Sequence, residues 1–381
     1  MKYDLIIKGG TVIDPSLNLS SVCDIAIAGN KIAAVGDTIQ ADAISTINAE
    51  GLVVTPGLID FHTHLFYGGT DIGVMPDMAF LPLGVTTAVD TGSAGSANYS
   101  VFSSSIIANS IVRVKSYLNV CPAGLSTTKY HENVSPKYYD KKKMAAIIDK
   151  YSHEILGLKI RASKELVEDE GLEPLKRTIE LAAEFGLPVA VHTTNPPEDA
   201  AEIAKLLRAG DIYVHMYQGT GSHIIGSDGK VKQAMKDAKE RGVIFDASNG
   251  GNHWVFAVAR AALADNFYPD IISTDITTKT LYKPPVYGLP YIMSKYLNIG
   301  MSLDSVVAAC TCKPAQLMHM ENKIGTLKPG AYADVALFKV AQRPTKFTDT
   351  KGEVVIGEQL LVPQATIKDG QLVYKSIEFA M

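Results

Sequence analysis

The chain begins with short segments in which apolar residues alternate with polar or small ones between turn signals. These are Leu5-Ile6-Ile7-Lys8-Gly9-Gly10, Asp24-Ile25-Ala26-Ile27-Ala28-Gly29-Asn30 and Ile32-Ala33-Ala34-Val35-Gly36. Such patterning predicts β-hairpins. It returns only near the other end, in Ala333-Asp334-Val335-Ala336-Leu337-Phe338 and in the run from Ala365 to Tyr374. Residues 1–54 and 324–381 are therefore expected to pair into one small composite β-domain, a β-sandwich. Between them lie eight apolar runs: Leu58 to His62, Thr86 to Asp90, Val114 to Val120, Gly157 to Arg161, Pro188 to His192, Ile212 to His215, Val243 to Asp246 and Ile271 to Asp275. Continuous apolar runs suit strands buried on both faces. Glu173 to Phe185, Asp199 to Ala209 and Val231 to Arg241 carry helical periodicity with charged faces. Eight strand–helix units predict an α/β chain whose residues 55–323 form a (β/α)8 TIM barrel.

Composition changes this picture little. The 381 residues, 46% hydrophobic and 20% charged, suit one large domain plus a smaller unit. A formal net charge of -4 offers no basic footprint for nucleic acid or an anionic membrane. No apolar run reaches membrane-spanning length, and the N-terminus starts a strand without a signal-peptide core, so a cytoplasmic location is expected. Cys23, Cys121, Cys310 and Cys312 are too few and too scattered for a disulfide framework. Cys310-Thr311-Cys312 lacks the two-residue spacer of redox and zinc motifs and lies in a helical pattern, so it reads as core packing.

The chemistry is concentrated at the ends of the apolar runs. His62 and His64 flank one residue, and alternate side chains on a strand point the same way, so both imidazoles can reach one ion. His192, His215 and Asp275 each close a further run. Taken singly, each histidine is more often structural than ligating, and a strand-ending aspartate is often a helix cap. Lys159 lies inside Ile155-Leu156-Gly157-Leu158-Lys159-Ile160-Arg161, where a simple ammonium ion is costly to desolvate. Six such residues at strand ends are hard to obtain as independent accidents, and the C-terminal strand ends of a barrel are where its active site forms. An open doubly wound sheet would gather only the residues near its switch point.

Tyr3-Asp4-Leu5-Ile6-Ile7-Lys8-Gly9-Gly10-Thr11-Val12-Ile13-Asp14-Pro15, Pro56-Gly57-Leu58-Ile59-Asp60-Phe61-His62-Thr63-His64, Ser273-Thr274-Asp275-Ile276, Met293-Ser294-Lys295, Pro314-Ala315 and the run Gly325 to Val335 form an ordered set. With these motifs the chain resembles the amidohydrolase superfamily over nearly its whole length, closest to its dihydroorotase-like and deacetylase-like metallohydrolases. The resemblance implies that His62, His64 and Asp275 bind one divalent ion, and that His192 and His215 bind a second. It also implies that Lys159, carboxylated by carbon dioxide, bridges the two. Zinc is the expected metal, since imidazole and carboxylate-like oxygen suit it. Desolvation favours the neutral amine that carboxylation needs. The same resemblance leads one to expect a histidine where this chain has Asn249.

The expected activity is hydrolysis of an amide or ester bond in a small N-acyl or O-acyl acid or a cyclic amide, by a metal-bridging hydroxide. Asp275 would pass the water's proton to the leaving group. Arg161 should share the inward face of Lys159 and clamp a substrate carboxylate, or else pair with a loop carboxylate. Tyr217 is a candidate for polarising the scissile carbonyl, or else packs the pocket wall. Gly251, in a glycine-containing loop, permits close backbone approach to substrate. His131, His153, His223 and His319 have no strand-end context and receive no role. The expected partner is a small molecule, with association of copies left open. Two alternatives are a nucleobase deaminase of the adenine type, which commonly uses one metal and no bridging lysine, and a non-catalytic scaffold, which would have lost ligands.

Overall fold

The computed structural model describes residues 2–379. Five strands come first: β1 (Tyr3–Asp14), β2 (Leu19–Ala28), β3 (Lys31–Gly36), β4 (Ala43–Asn48) and β5 (Val53–Pro56). Seven follow in the middle: β6 (Leu58–Thr63), β7 (Val85–Gly95), β8 (Arg113–Asn119), β9 (Ile155–Arg161), β10 (Val189–His192), β11 (Ile212–Val214) and β12 (Ile244–Asp246). The last three are β13 (Val335–Thr348), β14 (Val354–Lys368) and β15 (Gln371–Lys375).

β6 to β12 form a parallel sheet in strict sequence order. Every residue of β6, β7 and β10 is buried, as their uninterrupted apolar character requires. The intervening helices cover one face. Glu173–Glu184 buries Leu175, Thr178, Leu181 and Ala182, a spacing that defines one helical stripe. Ala200–Leu206 begins at Asp199, whose carboxylate accepts from the Ala201 N–H.

The eighth run forms no strand ladder. Ile271 bridges to Asp246 and Ile276 to Thr63, so the segment lies between β12 and β6 with only isolated bridges. Its amides find irregular partners instead: Thr274 N–H donates to the Asp60 carboxylate at 3.0 Å, and Asp275 N–H to the His62 carbonyl at 2.8 Å. Asp275 itself has φ 52°, outside the strand region. The predicted runs also shift at their edges. β7 continues to Gly95, β12 starts at Ile244, and β11 stops at Val214, one residue short of His215.

Both ends of the chain enter one mixed sheet, ordered β15-β14-β13-β5-β1-β2-β3 with β4 beside β1. It is a single hydrogen-bonded sheet, where a sandwich has two separately bonded ones. Antiparallel pairing of β5 with β13, Val54 opposite Leu337, joins the two halves. Leu5, Ile7, Ile25, Val54, Val335, Leu337 and Ile367 belong to one buried apolar cluster of this sheet. Asp334 ties the sheet to the middle region by accepting from Arg113 at 2.8 Å, with the buried Lys368 3.2 Å away. Among the described residues no helix is long and apolar enough to cross a membrane.

One buried cation stands apart from these pairs. Lys295, on the helix Leu289–Leu297, is 1% exposed. Its Nζ lies 4.4 Å from the Trp254 ring centroid and donates to the Pro285 carbonyl at 3.2 Å. Burial pushes its pKa down to about 7, although the charge of Asp349 pulls the other way. The unfolded chain keeps this lysine charged up to its ordinary value near 10.5. Between about 7 and 10.5 the unfolded state therefore binds more protons, and stability should rise with pH across that window. Lys295→Met should accordingly gain stability relative to the parent as pH falls through the window, by on the order of a few kcal/mol, and then level off. Urea unfolding at pH values bracketing the window checks this; a stability difference that does not move with pH overturns it.

Candidate metal centre

All seven parallel strands run the same way, so their C-terminal ends share one rim. Register sets neighbours on it: Lys159 lies opposite Ala190 and Asn119, and Arg161 opposite His192. His62 and Lys159 point into the rim, with the imidazole Nε2 3.5 Å from Nζ. Gly92 makes room for the lysine. It has φ 89°, and a Cβ there would lie 2.5 Å from Lys159 Cγ.

Two groups of metal-capable side chains form here. His62, His64 and Asp275 present ligand atoms within 4.8 Å of one another, and so do His192, His215 and His253. His64 Nε2 is 3.2 Å from Asp275 Oδ1, and His62 Nε2 is 3.8 Å from the same oxygen. The rings of His62 and His215 are 5.3 Å apart, which puts the two groups side by side.

Partners on the opposite ring nitrogens orient the imidazoles. His215 Nδ1 donates to the Ser248 carbonyl at 2.7 Å, which leaves Nε2 with a free lone pair facing the centre. His64 Nδ1 lies 2.9 Å from Ser93 Oγ, and His62 Nδ1 3.6 Å from Asp246 Oδ2. Burial holds the pKa values of His62, His192 and His215 well below the usual histidine range, and the nearby Lys159 amine opposes a second positive charge there. Neutral imidazoles are the form that coordinates metal. Burial lowers Lys159 to about 8. For Asp275 burial acts to raise the value, but the hydrogen bond from His64 and the surrounding histidines outweigh it and hold the carboxyl well below the usual carboxylate range. Buried neutral imidazoles, an ionised carboxylate and a lysine with a depressed pKa together fit a pair of divalent cations.

The centre forms the floor of a cavity of about 500 Å³, lined also by Arg161, Gly251, Asn252, Thr277, Lys279 and Pro285. His62, His64, Lys159, His192, His215, Asp275, Arg161 and Gly251 all border it. Arg161 does pair with a loop carboxylate: Nη1 donates to Glu132 Oε2 at 3.0 Å, with Glu132 also held by Asn119. The guanidinium remains a quarter exposed toward the cavity.

Tyr217 corrects the sequence reading. It is fully buried away from the cavity, and its hydroxyl donates to the Phe267 carbonyl at 3.1 Å. The alternation rule fails because His215 has φ 63°, which turns the backbone before Tyr217 is reached. Tyr217→Phe should therefore cost about 1 kcal/mol of stability and leave kcat/KM within about twofold of the parent. Steady-state kinetics with denaturant unfolding decide this: a large kcat loss at unchanged stability would return the residue to the site.

His253 was missed, because it follows no strand and the reading of its loop stopped at backbone approach. Its Nδ1 is 2.9 Å from Thr194 Oγ1 and its Nε2 3.7 Å from Asp275 Oδ2. Asn249, where the resemblance calls for histidine, is buried and donates to the Ser273 carbonyl. The histidine that this loop sends to the cavity is His253, four positions later. Gly250 allows it, since a Cβ there would lie 2.4 Å from Asp275 Oδ2. Cys310 and Cys312 are buried and point at the Ile272 and Ala308 carbonyls. His131, His153, His223 and His319 do not line the cavity.

Comparison with known proteins bears on this arrangement. The profile of the Amidohydrolase family matches residues 53–373. A deacetylase of Agrobacterium fabrum is 35% identical over 353 residues, covering 91% of this chain and 86% of the relative. A crystal structure described as a dihydroorotase superposes with TM-score 0.88 at 32% identity, covering 98% of both chains. One described as an adenine deaminase gives TM-score 0.90 at 29% identity, covering 98% of this chain and all of that one.

Proposed function

Since the chain belongs to the amidohydrolase family and is a hydrolase of carbon–nitrogen bonds other than peptide bonds, we propose that it deacylates a small N-acyl or O-acyl acid at a two-metal centre. The observation that carries this reading is the placement of Lys159 at the floor of a cavity whose rim carries Arg161, with a three-ligand group bordering the same floor on either side.

In this reading His62, His64 and Asp275 would hold one divalent ion, and His192 and His215 a second. Lys159, carboxylated by carbon dioxide with loss of a proton, would supply a carbamate oxygen to each; zinc suits such a donor set. Bound ions supply Lewis acidity toward the scissile carbonyl and lower the pKa of water to near neutrality. The chain's own residues do the rest. Asp275 takes the proton of the attacking water and returns it to the leaving nitrogen, or to the leaving oxygen of an O-acyl acid, as the new C–O bond forms and the acyl C–N or C–O bond breaks. His253, held by Thr194, faces the same carboxylate and keeps it aligned. Arg161 uses the guanidinium edge that Glu132 leaves free to fix the substrate's carboxylate.

The same reading gives the segment Ile271 to Ile276 the place of an eighth strand. It treats residues 55–323 as the catalytic barrel, with 1–54 and 324–381 as its accessory unit.

Elemental analysis of protein produced with zinc and bicarbonate, followed by a panel of N-acetyl and O-acetyl acids with adenine as a control, tests the proposal. Two metals per chain and turnover of an acylated acid are expected. One metal with turnover of adenine alone would overturn it.

A further inference from the structure

β13 and β14 form a hairpin much longer than the small sheet needs, and its tip, residues 349–353, leaves that sheet and docks beside the catalytic cavity. The docking is built from defined bonds. Thr350 N–H and Oγ1 both donate to the Trp254 carbonyl, at 3.1 and 2.8 Å. Asp349, itself 6% exposed, accepts from the Phe256 N–H at 3.0 Å and also ties down the Lys351 and Glu353 amides of the tip. Glu353 pairs with Arg260. Lys351 is thereby carried to the rim, where its Nζ is 3.4 Å from Thr220 Oγ1.

A second cavity of about 370 Å³ opens at this place. It shares Arg161, His192, Asn252 and His253 with the catalytic one, so the two are contiguous. Glu165, Thr194, Asn195, Thr220, Thr350 and Lys351 line the remainder. Asn195 donates to one oxygen of Glu165 at 2.9 Å, and Glu165 is the one carboxylate in this lining, against the two cations Arg161 and Lys351. Nothing in the catalytic steps uses Asn195, Thr220 or Lys351.

The geometry points to this side chamber as the subsite for the distal part of the substrate, with Lys351 as a specificity-determining residue that selects a second anionic group. Arg161 lines both cavities, so an acylated acid anchored there can extend into the chamber that Lys351 lines, and the polar lining favours a carboxylate there over an aliphatic or aromatic group. The preferred substrate class is thus an N-acyl dicarboxylic amino acid. This inference rests on the deacylase reading, and its test separates the two.

Lys351→Glu and Lys351→Arg would be compared with the parent, all metal-loaded, in two assays. In the first, the ratio of kcat/KM for N-acetylglutamate to that for N-acetylglycine should fall about tenfold in Lys351→Glu, through KM, and recover in Lys351→Arg. In the second, calorimetric affinity for glutarate, which contains no scissile bond, should fall by a similar factor. Loss of glutarate binding on Lys351→Glu in a protein that deacylates no acid would uphold the chamber and overturn the deacylase reading. Deacylation with both the ratio and the glutarate affinity unmoved would overturn the chamber and leave the deacylase reading standing.

Discussion

Replacing Lys159 by alanine should remove metal and activity together: metal content should drop from two ions per chain to one or fewer, and kcat/KM by about a thousandfold or more. The expectation follows from where the side chain lies. Lys159 is 1% exposed, its amine is 3.5 Å from His62, and the backbone around it has been cleared by Gly92. As a plain ammonium it would be a poorly solvated buried charge, and burial already depresses its pKa to about 8. A neutral amine in that position is the form whose lone pair attacks carbon dioxide, giving the carbamate with loss of a proton. Truncation to alanine leaves space for a small anion, so short carboxylic acids such as acetate or propionate should restore part of the metal content and of the rate. Unchanged metal stoichiometry in Lys159→Ala would refute the bridging role. Metal content measured beside activity, in each acid, separates loss of the ligand from misfolding, because a misfolded chain is not rescued by propionate.

Asp275→Asn should lower kcat by roughly 10²- to 10⁴-fold while the protein stays folded and keeps most of its metal. Asparagine retains an oxygen for coordination but cannot accept the proton of the attacking water. It also tolerates the left-handed backbone at φ 52°, as aspartate does. The hydrogen bond from the residue's N–H to the His62 carbonyl is indifferent to the change. Stability, metal content and single-turnover rate together read the outcome: loss of metal in proportion to rate would make Asp275 a ligand only, and a rate close to the parent's would exclude it from proton transfer.

What the sequence made legible was whatever depends on strand periodicity. Lys159 and His192 lie on regular ladder strands and His62 on β6 beside a register shift between Asp60 and Thr63, and in a parallel sheet an apolar run ending in a polar residue places that residue on the rim. The helices 173–184, 200–206 and 233–240 were readable for the same reason, each with one apolar stripe. Legibility ended where the backbone leaves the regular regions. His215, Ser248 and Asp275 all have positive φ. After such a turn a two-residue count no longer predicts a face, so Tyr217 was misplaced and His253 went unnoticed. The eighth run failed as a ladder strand for a related reason, since the Asp60 side chain satisfies a backbone amide that a neighbouring strand would otherwise bond. Arg161 and Glu132 are 29 residues apart, and no local pattern announces a pair of that kind.

The pairing of β5 with β13 has a consequence for the chain as it is made. Val335 lies opposite Pro56, 279 positions later in sequence. At roughly 5–20 residues per second, synthesis leaves the outer edge of β5 without its neighbour for roughly fifteen to sixty seconds. During that time Val53 and Val54 present open amides and carbonyls next to apolar side chains, the kind of edge that recruits strands from other molecules. The intervening β–α units can assemble through neighbouring strands as they emerge, but the terminal sheet must wait for a contact between distant parts of the polypeptide. Slow closure of that seam makes crowding at the ribosome, rather than weakness of the finished protein, the stage at which destabilised versions of this molecule would be lost to aggregation.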